Sequence, residues 1–118
     1  MGTPREAVTL FREALKDGTI TAALATRQYS YTEISSNDAT TAHTEISSNS
    51  LLKRNLPFTI LASKTGFLYE SGACLAMLVE RPSDGKKFIL LTMGNPDFGS
   101  ETRFDEPARF ASWALKNF

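Results

Sequence analysis

The sequence predicts an α+β fold: a three-stranded antiparallel sheet flanked by N-terminal and C-terminal helices, with a polar hairpin to one side. Three observations carry this. Apolar residues recur at helical spacing near both ends, at Ala7, Leu10, Phe11, Ala14 and Leu15, then at Phe104, Ala108, Ala111 and Leu115. Between them lie strand-length apolar runs at 58–63, 73–80 and 86–93, separated by turn residues. Ahead of those runs, segment 29–50 is rich in serine and threonine.

The first helix opens on Thr3-Pro4-Arg5-Glu6: Thr3 caps, Pro4 suits the first helical position and Glu6 completes a capping box. Asp17-Gly18 ends it, and 19–25 reads as a second, short helical stretch. In the next segment Thr32-Glu33-Ile34-Ser35-Ser36-Asn37 is echoed by Thr44-Glu45-Ile46-Ser47-Ser48-Asn49, a repeat far too short for a solenoid. Tyr29, Tyr31, Thr32 and 44–46 favour extended structure, with a turn at 37–40. Leu51, Leu52 and Leu56 then lead back to the core.

Run 73–80 is nearly all apolar and is expected to be a strand buried on both faces. Asp84-Gly85 is a hairpin turn into the strand from Lys86 to Met93, which Gly94-Asn95-Pro96-Asp97 ends. In the closing helix Phe110, Trp113 and Ala114 are expected to widen the apolar face, and Pro107 must fall in the first turn. No linker divides the chain, so residues 1–118 are expected to form a single domain.

Composition narrows the function classes. Thirteen basic and thirteen acidic residues cancel without forming blocks, so no track for nucleic acid or anionic lipid is present. The lone Cys74 excludes an internal disulfide and a cysteine-based zinc site, and its apolar neighbours predict a buried, inert thiol. His43 has no second histidine to share a metal, so it reads as a structural or surface residue; neither metal nor cofactor is expected. No run is long enough to span a membrane, and 1–4 has neither the charged nor the apolar region of an export signal.

The chemistry concentrates at Lys64-Thr65-Gly66, at the end of an apolar run and followed by Phe67. This triplet offers an ammonium, a hydroxyl and a backbone that a ligand can approach closely. It is also one of three signatures of serine acyl-transfer enzymes that act on lactams, beside Ser-x-x-Lys and Ser-x-Asn. Matches to those two at 50–53, 83–86, 35–37 and 47–49 are decoys. A nucleophilic serine needs its lysine one turn on, in a well-packed helix. Residues 83–86 contain an Asp-Gly turn, 50–53 is broken at Asn55 and Pro57, and the Ser-Ser-Asn segments belong to the polar hairpin.

The wider pattern resembles the low-molecular-weight penicillin-binding proteins, the serine-type D-alanyl-D-alanine carboxypeptidases and endopeptidases. Asn49-Ser50-Leu51-Leu52 matches their Asn-x-Leu-Leu approach, Lys64-Thr65-Gly66-Phe67 their Lys-Thr-Gly-aromatic, and Ser71-Gly72-Ala73-Cys74-Leu75 their Ala-Gly-x-Cys-Leu. Gly94, Arg103, Glu106 and Trp113 resemble the family's glycine after the last strand and the Arg-x-x-Glu … Trp of its terminal helix. Thr3-Pro4-Arg5-Glu6-Ala7 is similar to the helix that follows the family's Ser-x-Asn. Leu68 stands where the family usually has threonine.

This resemblance implies an incomplete transpeptidase-like domain, its C-terminal portion, with the nucleophile helix, the Ser-x-Asn loop and two strands lying upstream. It implies that Lys64 supplies positive charge, Thr65 hydrogen-bonds a substrate carboxylate and Gly66 lets substrate lie along the strand. The Phe67 backbone N–H would be an oxyanion donor, and Arg103 would assist carboxylate binding. The implied ligand is a peptidoglycan stem peptide or β-lactam, the implied location of the parent protein is periplasmic or extracytoplasmic, and this chain alone would be inactive. A non-catalytic module binding peptidoglycan or a protein is the alternative. With its neighbouring strand absent, the edge from Lys86 to Met93 is expected to be open to self-association.

Overall fold

The computed structural model describes residues 2–97 and 101–118. Helix α1 (Pro4–Ala14) starts at the expected capping box: the Thr3 hydroxyl accepts from the Glu6 N–H at 3.3 Å, and the Glu6 carboxylate accepts from the Thr3 N–H at 2.7 Å. Helix α2 (Gly18–Ala25) is capped by the Asp17 carboxylate, which accepts from the N–H groups of Thr19 and Ile20. Neither helix contributes a buried residue.

Strands β1 (Gln28–Ile34) and β2 (Thr40–Ile46) form the antiparallel hairpin, with Tyr31 opposite His43. Its turn is tightened by Asp38 at φ 61°, a left-handed conformation that aspartate tolerates better than most residues. A 3₁₀ turn at Ser50–Lys53, capped by the Asn49 side chain, leads to the second sheet. That sheet has the order β3 (Thr59–Leu68), β4 (Gly72–Glu80), β5 (Lys87–Asn95), antiparallel throughout. A 3₁₀ turn at Glu101–Phe104 precedes helix α3 (Asp105–Asn117), in which Pro107 is the third residue and so costs no helical hydrogen bond.

The core lies between α3 and one face of the β3–β5 sheet: Leu51, Phe58, Ile60, Leu75, Met77, Val79, Leu90, Phe104, Ala111, Ala114 and Leu115. Leu52 and Leu56 pack on it, as the leucine spacing predicts. Two sequence expectations give way here. β4 is not buried on both faces: Leu75, Met77 and Val79 are buried, while Cys74, Ala76 and Leu78 are half-exposed, because α3 covers only one side. On α3, Ala114 joins the core, but Phe110 and Trp113 point outward at 40% and 53% exposure and stack on each other. A single helix face about a third of a turn wide cannot direct positions 110, 111, 113 and 114 all inward.

Two bulges set which residues face where. Ile60 pairs with Val79 but Ala62 pairs with Leu78, so β3 carries one extra residue there. Side chains alternate along a strand, so this insertion moves Lys64 off the α3 face to the side of Ala62, Ala76 and Leu78. Without it the lysine would point into the core. The second bulge lies on β5 between the Leu75–Thr92 and Ala73–Asn95 pairs, where Gly94 sits at φ 76°. It turns Asn95 toward α3.

Candidate functional site

The Lys-Thr-Gly triplet lies within β3, not past its end, because pairing with β4 continues to Leu68. β3 is an edge strand of its sheet among the described residues. Along that edge opens a cleft of about 450 Å³ whose lining includes Lys64, Thr65, Gly66, Phe67 and Arg103. All five residues singled out from the sequence therefore meet in one place, 103 arriving from the turn before α3. Lys64 and Thr65 face opposite sides of the sheet, so a ligand touches both only by lying along the strand edge.

Each member has an identifiable hold. The Lys64 ammonium curls back to donate to the Thr65 carbonyl and is otherwise exposed. The Thr65 hydroxyl is 2.5 Å from that of Ser48, which fixes its rotamer. Gly66 sits opposite Cys74, and a Cβ built there would meet only the Cys74 Cβ, at 3.9 Å. Its φ is not positive, so the fold itself does not demand glycine. The Phe67 ring meets Tyr69 edge-on, 5.3 Å between centroids.

Arg103 is positioned by Asn95 and Phe104. The Asn95 amide donates to the Arg103 carbonyl at 3.5 Å and the Glu106 carboxylate at 3.4 Å, while its oxygen accepts from the Asp97 N–H at 2.8 Å. The guanidinium lies over the Phe104 ring at 4.7 Å. No carboxylate among the described residues pairs with it. The cleft thus gathers a guanidinium that no carboxylate among the described residues neutralises, a lysine and a threonine hydroxyl, chemistry able to bind an anion.

Three lining residues escape the sequence reading. Ser48 belongs to a decoy segment, yet it holds Thr65. Asn95 reads from the sequence only as a strand breaker. Cys74 lines the cleft and is half-exposed; the expectation of a thiol sealed in the core fails because its face of β4 is the uncovered one. Ser50, the other decoy, sits with Lys53 on a single 3₁₀ turn and has a buried, unpartnered hydroxyl, which denies it access to a substrate. His43 is a surface residue whose Nε2 lies 2.9 Å from the Glu33 carboxylate. No cluster of potential metal ligands occurs among the described residues.

No family model and no curated protein matches the sequence. Solved structures do. A D-alanyl-D-alanine carboxypeptidase from Mycobacterium tuberculosis H37Rv superposes with a TM-score of 0.67 at 20% identity, over 92% of this chain and 38% of its own. A penicillin-binding protein homologue from Mycobacterium tuberculosis gives 0.68 at 19% identity, with the same coverage. The chain spans 38% of the length of these neighbours. It has the fold of part of a penicillin-binding protein.

Proposed function

We propose that the chain is the C-terminal, motif-bearing part of a serine D-Ala-D-Ala peptidase that acts on peptidoglycan stem peptides outside the cytoplasmic membrane. One observation carries this reading: Lys64, Thr65, Gly66, Phe67 and Arg103 line a single cleft along a strand edge, within a fold shared with a D-alanyl-D-alanine carboxypeptidase. In this reading the peptide lies antiparallel to β3 as an added strand, and its terminal carboxylate meets Thr65 and Arg103. Lys64 keeps the nucleophile's surroundings positive, and the Phe67 N–H donates to the oxyanion that forms when the serine attacks.

The nucleophile belongs to the remainder of the protein. Ser48 is engaged by Thr65 and Ser50 is buried, so neither serves. This chain alone therefore binds and does not turn over, and a β-lactam occupies the same cleft without acylating it. No helix among the described residues is long and apolar enough to cross a membrane. The outer edge of β5, which pairs with no strand among the described residues, is where the missing strands would dock.

The test is titration of the isotope-labelled chain with acetyl-Lys-D-Ala-D-Ala. Amides of 64–67 should shift, and Thr65→Val or Gly66→Ala should weaken binding by about tenfold, a loss of about 1.4 kcal/mol, with the fold intact. A fluorescent penicillin should leave no covalent label. Stoichiometric labelling would overturn the non-catalytic assignment, and silence at 64–67 would overturn the site.

A further inference from the structure

The hairpin carries a feature that the Lys64 cleft does not explain. Tyr29, Tyr31 and Glu33 of β1 share one face with Thr41, His43 and Glu45 of β2. On that face three rings lie in a row: Tyr29 on Tyr31 at 6.2 Å and 23°, and Tyr31 on His43 at 5.1 Å and 18°. The result is a row of three nearly parallel rings, with Tyr29 its most exposed tyrosine. Tyr29 is 64% exposed and Tyr31 43%. Cross-strand stacking of Tyr31 on His43 helps hold the two strands together. Tyr29 lies beyond that pair, and the pairing does not account for it.

Continuity accounts for it. A second cavity, of about 320 Å³, is lined by Tyr29 and Glu45 on the hairpin side and by Ser48, Lys64 and Thr65 on the β3 side. Tyr29, at the end of the row, thus borders a cavity that shares Ser48, Lys64 and Thr65 with the Lys-Thr-Gly cleft. We infer that the aromatic row of Tyr29, Tyr31 and His43, with the exposed Tyr29 ring at its end, binds a neutral sugar chain, the glycan to which the peptide at β3 is attached. This deepens the proposed function and rests on it for the link between sugar and peptide.

The chemistry selects the occupant. Flat, exposed aromatic faces pack against the C–H faces of pyranose rings, and tyrosine brings rigid apolar area at small conformational cost. Glu45 beside Tyr29 accepts hydrogen bonds from sugar hydroxyls, while Glu33 holds the His43 ring in place. The same carboxylates repel a phosphate backbone, and the chain offers no block of basic residues to offset that, so stacked nucleobases are disfavoured. A proline-rich peptide is the other partner that stacks on tyrosines.

The experiment titrates the labelled chain with the N-acetylglucosamine tetramer, which carries no peptide. Resonances of Tyr29, Tyr31 and His43 should move while amides 64–67 stay. Tyr29→Ala, which spares the Tyr31–His43 stack, should weaken sugar binding by about tenfold, and Tyr31→Phe should leave it within about threefold. Acetyl-Lys-D-Ala-D-Ala should bind the Tyr29→Ala chain as before, so failure of the sugar site and failure of the peptide site read separately. A hairpin silent to the tetramer overturns the proposal, as does a proline-rich peptide or a polyanion that moves these rings when the sugar does not.

Discussion

The two sides of the β3–β5 sheet are built differently. Between the sheet and α3, Val79, Met77 and Ala111 are at most 1% exposed, and Leu51 and Phe104 of the two 3₁₀ turns help close the layer. Outside this layer α1 lies against β5 and α2 against β3, yet neither helix buries a residue, and Leu10 stays 72% exposed. The radius of gyration, 16.1 Å, exceeds the roughly 13–14 Å expected of a compact chain this long. One side is a finished core and the other is only partly covered; Lys64 emerges on the second, while Thr65 and Arg103 reach the cleft from the first.

The largest expected effect tests that contrast directly. Met77→Ala should lower the unfolding free energy by about 2–5 kcal/mol, since a fully buried side chain leaves a cavity. Leu10→Ala should change it by less than about 0.5 kcal/mol. Urea denaturation of both variants provides the comparison. A substantial loss from Leu10 would mean that α1 is sealed by something the monomer's structure does not show.

Glycines sharpen it next. Gly72 sits at φ 69°, and a Cβ there would lie 2.8 Å from the Asn95 carbonyl oxygen. Gly72→Ala should cost about 1–3 kcal/mol and displace Asn95, and with it Arg103. At the start of α2, a Cβ added to Gly18 would meet nothing within 4 Å, so Gly18→Ala should stabilise by about 0.4–1 kcal/mol. The same chemical change therefore has opposite signs on the two sides. Thermal unfolding of the two variants reads both.

A third effect concerns the open β5 edge. Apolar Ile89 and Leu91 lie beside an unpaired row of backbone groups, so the chain should self-associate reversibly with concentration. Ile89→Lys should weaken that association about tenfold in sedimentation velocity. A chain that stays monomeric at high concentration would remove the edge from the account.

Legibility in the sequence follows the same division. Capping box, helix faces, turn residues and apolar runs specify their elements locally, so α1, the hairpin, β4 and α3 are readable. Lys64, Thr65, Gly66 and Phe67 can be found because a short motif holds them together in sequence. What is not readable depends on register. The bulge near Ile60 decides on which side Lys64 emerges, and the Gly94 bulge decides that Asn95 meets Arg103. Phe110, Trp113 and Cys74 read as interior because composition records that a residue is apolar, not whether a partner surface exists to cover it.

The smallest effect is a pH dependence that also differs between the sides. In the β4–β5 turn the Arg81 guanidinium donates to both Asp84 oxygens, at 2.8 and 2.6 Å, and to the Leu115 carbonyl of α3. Hydrogen bonding from Arg81, aided by the Lys86 N–H, lowers the Asp84 carboxyl from 3.8 to about 2. A depressed carboxyl contributes stability that is complete above its unfolded value and is lost as the pH falls through its folded one. Global stability should therefore decline between about pH 4 and pH 2, and Asp84→Asn should flatten that slope. Glu6 is also lowered, chiefly by its bond from the Thr3 backbone, but it caps a helix that buries nothing. Glu6→Gln should fray α1, visible as lost helical signal, while leaving the midpoint of global unfolding in place. If the two substitutions shift the global midpoint equally, α1 is as firmly integrated as the α3 layer, and the division of the molecule into a closed and an open side is wrong.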